Sequence, residues 1–183
     1  MRVMNKPLIA LISPSGGGKS TIASKLEKRY GYTQVKSYTT RPIREDDPND
    51  YLTHTFISFA DVEQYRDEIV ASNTFNNQFY FATVSQLNAN QIYVVDVEGL
   101  KQLRENYHEK PIIAIYLDVP SEICAKRMEQ RGDSDEAIMQ RLQHDTDAFA
   151  GAKELCDFVC DNSTQDKANT VCEFVHMLIE YAR

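Results

Sequence analysis

Leu8-Ile9-Ala10-Leu11-Ile12-Ser13-Pro14-Ser15-Gly16-Gly17-Gly18-Lys19-Ser20-Thr21-Ile22-Ala23-Ser24-Lys25-Leu26-Glu27 is the stretch that decides the fold. The apolar run 8–12 has the length of a buried strand, and 22–27 has helical spacing. Between them, glycines 16–18 carry no side chains, so consecutive backbone N–H groups can turn inward around phosphate oxygens at the positive end of the following helix. The phosphate-binding set is therefore Ser15, Gly16, Gly17, Gly18, Lys19, Ser20 and Thr21. Lys19 brings a mobile cation to the outer phosphates, and the Ser20 hydroxyl suits Mg2+, a hard cation that takes oxygen ligands. The pattern G-x-x-x-x-G-K-[ST] is met except at its first position, where Ser13 is expected to face a less permissive backbone angle than glycine. The bland alternative, a glycine-rich turn that happens to precede a lysine, fits the strand and helix flanks poorly.

Outward from the loop, 183 residues suffice for one α/β domain with a small inserted lobe. The net charge of −7 and the mixing of acids with bases argue against a surface that tracks nucleic acid. Cys124, Cys156, Cys160 and Cys172 lack zinc-ligand spacing, and reduced thiols are expected. No apolar run approaches the roughly 20 residues of a membrane helix, and no signal peptide precedes the first strand, so a soluble cytoplasmic protein is expected.

Gly31 is expected to cap the first helix, and Tyr32–Val35 reads as a short strand. Residues 36–58 are polar, broken by prolines, and carry Arg41 and Arg44 three apart. Ser58 is expected to cap a helix to about Ile69, Thr74–Thr83 reads as a strand, and Ser85–Asn88 as a turn or short helix. Residues 92–97 and 112–117 read as buried parallel strands. Ser121 is expected to cap a helix ending near Arg131, a second helix opens at 133–136, a strand lies within 155–160, and a helix at 168–181 closes the chain. The expected fold class is α/β: a doubly wound parallel sheet around a phosphate loop with helices on both faces, a small inserted α+β lobe and a helical lid. The expected organisation is one domain, 1–183, with a core of 1–36 and 85–183, a lid at about 131–150, and an inserted lobe at 37–84.

The chain resembles the guanylate kinases over nearly its whole length. Ser13–Thr21 is similar to the family's G-P-S-G-x-G-K-[ST], Ser37-Tyr38-Thr39-Thr40-Arg41-Pro42-Ile43-Arg44 to its S-x-T-T-R-x-x-R, and Arg131-Gly132 with Arg141-Leu142 to its lid. The resemblance implies phosphoryl transfer from ATP, with Mg2+, to a nucleoside monophosphate, with GMP or dGMP as acceptor. It implies catalytic roles for Lys19, Arg131 and Arg141, ATP binding by 15–21, and metal binding by Ser20. Acceptor binding falls to Ser37, Arg41, Arg44, Tyr51, Tyr80 and Asp96. Chemically, such a reaction needs two polyanions aligned and neutralised rather than covalent participation by protein.

Departures fall on the acceptor side. The family's run after the second motif is matched at Tyr51 only with gaps, and His54 is the alternative occupant of that tyrosine's place. Tyr80 and Phe81 compete for a second tyrosine. The family's guanine-binding glutamate is replaced by Ala71, with Glu68 as the nearest substitute, and Asp96 can face a base, serve a metal through water, or cap a turn. Two further readings therefore stand: a phosphotransferase on a different nucleotide or phosphorylated small molecule, and a non-catalytic protein-interaction module. The intact lysine loop weighs against the last.

Overall fold

The structure, a computed structural model, describes residues 6–43 and 50–181. At its centre lies β1 (Leu8–Ile12), with all five side chains fully buried. Successive strand side chains point to opposite faces, so β1 feeds two cores at once. Leu8, Ala10 and Ile12 pack with one hydrophobic cluster, Ile9 and Leu11 with the other. The parallel sheet is completed by β6 (Ile92–Val94), β7 (Ile112–Asp118) and β8 (Phe158–Asp161) in the order β6-β1-β7-β8.

One face is covered by α1 (Lys19–Tyr30) and α7 (Gln165–Tyr181), through Ile22, Leu26, Val171, Val175 and Ile179. The other is covered by α4 (Val97–Asn106), through Leu100 and Leu103, with Leu87 of α3 (Val84–Ala89). Gly31 closes α1 in the left-handed conformation, its N–H donating to Glu27 O. Helices on both faces explain why the strands read as continuous apolar runs.

A second four-stranded sheet, ordered β3-β2-β5-β4, comprises β2 (Ser37–Thr39), β3 (His54–Phe56), β4 (Ile69–Phe75) and β5 (Gln78–Thr83). A short helix α2 (Asp50–Thr53) precedes β3. The stretch expected as one strand at 74–83 is instead half of a hairpin whose two-residue turn, Asn76-Asn77, has positive φ at both positions (49° and 59°). Asparagine tolerates that conformation, and a turn of this hand matches the twist of the flanking strands. The helix expected after Ser58 is a 3-10 helix over Phe59–Glu68, opened by Ser58 N–H and Oγ donating to Asp61. It packs Tyr65 against Tyr38, which in turn stacks on Phe81. β4 is an edge strand, and its outer backbone groups are satisfied by α4: Gln102 brackets Ser72 N and O, and Asn106 donates to Val70 O.

Other expectations need correction. Tyr32–Val35 forms only a single bridge, Gln34 with Ile92, because the chain leaves the sheet edge at once to enter β2. Helix α5 (Ser121–Gln130) is capped by Pro120, so Ser121 is already its first residue. Helix α6 (Asp135–Ala148) starts two residues later than its acidic run suggests, with Ser134 Oγ accepting from Ala137 N.

Candidate functional site

Between β1 and α1 the chain turns through Gly16 and Gly18, both at positive φ (74° and 93°). Ser13 does not need that region: Asn76 and Asn77 are the only non-glycine residues with positive φ among the described ones. Its cost lies elsewhere. The Ser13 side chain is fully buried, its Oγ has no partner among the described residues, and a Cβ built on Gly17 would lie 1.6 Å from that oxygen. The Ser13 side chain, together with the Pro14 carbonyl oxygen at 3.0 Å, thus leaves room only for glycine at 17.

Lys19, the first residue of α1, folds back so that Nζ donates to Ser13 O and, at 3.2 Å, to Pro14 O. Burial lowers its pKa to about 8, against the opposing pull of the Asp145 carboxylate. Asp145, on α6, is 9 % exposed and accepts the Ser15 backbone N–H at 2.6 Å. One of the loop's amides is therefore already neutralised by an anionic oxygen of the protein itself.

A cavity of about 480 Å3 opens beside the loop, lined by Gly18, Lys19, Ser20, Arg127, Arg131, Arg141 and Asn162. Arg127 donates to Gly16 O, Asn162 O and Ser163 O, and Asn162 Nδ2 donates to Gly17 O at 2.8 Å. These two side chains hold the carbonyl side of the loop, while on its N–H side Ser15 donates to Asp145 and Gly17 to Pro14 O. Arg131, at the C-terminal end of α5, makes a two-pronged pair with Asp133, and Arg141 of α6 approaches the same carboxylate at 3.8 Å. The two arginines are thus gathered on one anionic group at the cavity rim.

On the other side of the loop lies a cavity of about 290 Å3 lined by Ser20, Ser37, Arg41, His54, Tyr80 and Arg131, among others. It continues into one of about 400 Å3 whose walls include Ser37, His54, Ala71, Asn73, Tyr80, Tyr93, Asp96 and His144. Arg41 lies over the Phe56 ring at 5.1 Å and donates from Nη1 to Pro42 O at 2.9 Å. The Tyr93 hydroxyl pairs with Ser37 and is pushed up to about 12 by burial. Asp96 caps α4 by accepting Gly99 N at 2.7 Å and also accepts from Asn73 Nδ2 at 2.9 Å. His144 meets Phe75 edge-on across the cleft.

Of the residues picked from the sequence, Ser15, Gly16, Gly18, Lys19, Ser20, Thr21, Arg131 and Arg141 meet at the loop-side cavity, and Ser37, Arg41 and Tyr80 share the central one with Ser20. Gly17 lies behind the loop wall, buried against Ser13. Asp96 lies on the lobe-side cavity. Tyr51 does not join them: it is 59 % exposed on α2 and lines none of these cavities, while His54, the alternative for its place, lines two. Arg44 lies outside the described residues. Glu68 does not replace a carboxylate at Ala71, because it is tied to Ser85 at the start of α3. Phe81 is buried in the aromatic stack, which leaves the ring facing the central cavity to Tyr80.

Sequence reading missed Arg127, Asp133, Asp145, Asn162, Tyr93 and Asn73. Two of these had a signal: Arg127 precedes Arg131, and Asp145 follows Arg141, by the four residues that place side chains on one helix face. Asn162 follows the carboxyl end of β8, where ligands of open parallel sheets collect.

The guanylate kinase family model matches residues 4–180. The chain belongs to the guanylate kinase family. Its relatives include a protein named guanylate kinase from Trichormus variabilis, 34 % identical over 160 residues that cover 81 % of this chain and 78 % of that one. Another, from Chlorobaculum tepidum, is 29 % identical and covers 95 % and 92 % of the two chains. The crystal structure of guanylate kinase from Anaplasma phagocytophilum superimposes with a TM-score of 0.68 at 20 % identity, covering 96 % of this chain and 88 % of that one, and shares its fold. The family match spans both sheets, so the phosphate loop and the lobe-side cavity belong to one family unit.

No three His, Cys, Asp or Glu side chains gather into a metal cage among the described residues. Mg2+ does not need such a cage, because it keeps its waters and is held by one or two protein oxygens together with phosphates. Ser20, exposed at the start of α1 and bordering both the loop-side and central cavities, is the fitting protein oxygen.

Proposed function

We propose that this protein transfers the γ-phosphoryl group of ATP to the phosphate of GMP or dGMP. The observation that carries the reading is the central cavity, where Ser20 of the phosphate loop and Arg131 of the α5 end face Ser37, Arg41 and Tyr80. Donor and acceptor phosphates can meet there.

In this reading the loop N–H groups and the α1 N-terminus hold the β- and γ-phosphates of ATP, and Lys19 leaves its carbonyl partners for them. Mg2+, held through Ser20, supplies further charge neutralisation. Arg41, with the Ser37 and Tyr80 hydroxyls, fixes the acceptor phosphate. An oxygen of that phosphate attacks the γ-phosphorus, the bond to the β–γ bridging oxygen breaks, and ADP leaves. The attacking oxygen is already anionic, so no general base is required. Arg131 and Arg141 exchange Asp133 for the transferring group as residues 131–150 close, which excludes water and neutralises charge where it spreads. Residues 37–84 act as the acceptor lobe in this scheme, and a cytoplasmic setting supplies both nucleotides.

A coupled assay of ADP formation with ATP and GMP, dGMP, AMP, CMP or UMP tests the proposal. Turnover is expected with GMP and dGMP, and absence of ADP formation with every acceptor overturns it.

A further inference from the structure

Asp145 is the only carboxylate that the fold buries among the described residues, and the phosphoryl-transfer scheme leaves it unused. A carboxylate taken out of water is costly unless charge and hydrogen bonds replace its hydration. Here the replacements come from the phosphate loop. Oδ2 accepts the Ser15 N–H at 2.6 Å, and Asp145 acts on the Lys19 ammonium more strongly than any other charge does. Oδ1 is left to His144 Nδ1 at 3.3 Å.

The seat is fixed by α6. Arg141, Asp145 and Phe149 follow one another at intervals of four and share a helix face. Phe149, which closes the helix, packs against the cluster that contains Leu100 and Leu103 and holds its ring 5.9 Å from Lys19 Nζ. Arg141, at the other end of the face, reaches Asp133 at the cavity rim. Between them the carboxylate rests on the two kinds of group that a lysine loop offers to outer phosphates, an inward N–H and a mobile ammonium. In the empty protein those groups already hold an anion.

Resting on the kinase reading above, we propose that Asp145 is a positioning residue for the donor, the loop's resident anion: it holds the Ser15 amide and the Lys19 ammonium while the site is empty and is exchanged for the terminal phosphate when ATP binds. The two cannot share the place, because both are anions and both accept from the same N–H. ATP therefore binds against the cost of displacing Asp145. ADP, one phosphate shorter, leaves Asp145 on Ser15. The exchange also breaks a hydrogen bond that ties α6 to the loop, so arrival of the terminal phosphate is coupled to the freedom of the helix that bears Arg141.

The experiment is calorimetric titration of the wild type, Asp145→Asn, Asp145→Ala and Asp145→Glu with ATP and with ADP. Mg2+ is in excess, and the pH is about 6.5, below the value to which burial lowers Lys19. Asp145→Asn keeps an oxygen for the Ser15 N–H and removes the charge. It should tighten ATP by about tenfold and shift ADP by less than about 3-fold, so that the ratio of the two affinities rises. Asp145→Ala should move the ratio the same way, with a lower Tm in the absence of nucleotide because the Ser15 N–H loses its partner. Asp145→Glu, which keeps the charge, should show no gain, and GMP affinity should stay within about 3-fold in all four proteins as the check on folding. Equal weakening of ATP and ADP in the Asn and Ala variants marks a merely structural contact and overturns the proposal, as does a ratio unchanged in every variant. Wild type that binds ATP but turns over no monophosphate removes the kinase reading and leaves the same ratio to decide the exchange, whereas wild type that binds no ATP removes both.

Discussion

The loop side and the lobe side of the cleft both present polar groups to nucleotide, but they are built in opposite ways. The loop side comes from one contiguous stretch, Ser13–Thr21, clamped from behind by Arg127 and Asn162. Its partners are backbone groups, and its tolerance is small: Gly17 has no room for a methyl group and Gly18 would meet Asn162. The lobe side is assembled from β2, β3, β4, β5, β6, the start of α4 and one residue of α6, and nearly every polar contact uses side chains. A phosphate has the same shape in every nucleotide, so a backbone cradle serves them all. A base is told apart by its edge, and edge-reading atoms can be supplied from any neighbouring strand position that reaches.

The sharpest way to break the contrast is to remove the cation of the loop side. Lys19→Ala should abolish detectable turnover, a loss of at least about 1000-fold in kcat/KM, because it deletes the charge aimed at the transferring group. ATP binding by calorimetry should be lost with it, and GMP binding retained. Arg41→Ala should cost about 100-fold in kcat/KM for GMP, with the KM for ATP within about 3-fold of wild type. Equal losses for both nucleotides would show that the two sides do not act separately.

A pH titration sharpens the comparison. Burial lowers Lys19 to about 8 in the nucleotide-free protein. A bound phosphate beside the ammonium favours the charged form, so its pKa rises on binding. Binding then takes up a proton at any pH above the free-state value, and ATP affinity, intact below pH 8, should weaken by about tenfold per pH unit above it. GMP affinity should not follow that slope, since Arg41 stays charged throughout. A flat ATP profile from pH 7 to 9.5 would mean that Lys19 is not desolvated in solution. The smallest expected effect belongs to Ser13→Ala, which removes a buried hydroxyl without a partner. It should stabilise the fold by about 1 kcal/mol, or roughly 2–4 °C in Tm by calorimetry, with kcat/KM unchanged.

The same contrast explains what was legible in the sequence. The loop, its strand and its helix could be read directly, because the atoms that hold phosphate are neighbours in the chain and glycine is required by the turn itself. Ser37 and Arg41 were legible through a second compact run. Tyr51 was harder to place, since an aromatic in a strand-like context gives no information about which face it takes; it is exposed, whereas His54 lines the central cavity. Asp133 and Asn73 carry no local signature at all, and Asp145 carries only its four-residue spacing from Arg141. Their roles depend on where α5, α6 and β4 come to rest, with Asp145 reaching the Ser15 amide across 130 positions of sequence. The Asn76-Asn77 turn was missed for a different reason: without glycine, its left-handed geometry relies on asparagine's weaker tolerance.

The contact between Ser13 and Gly17 also bears on how this loop can change over generations. Because the Ser13 side chain fills the space next to Gly17, the two positions are not independent letters. A side chain at 17 is closed to the protein while serine stands at 13, and with a smaller residue at 13 it would still meet the Pro14 carbonyl oxygen at 3.0 Å. A change at 17 therefore asks for room from a side chain and from the backbone at the same time.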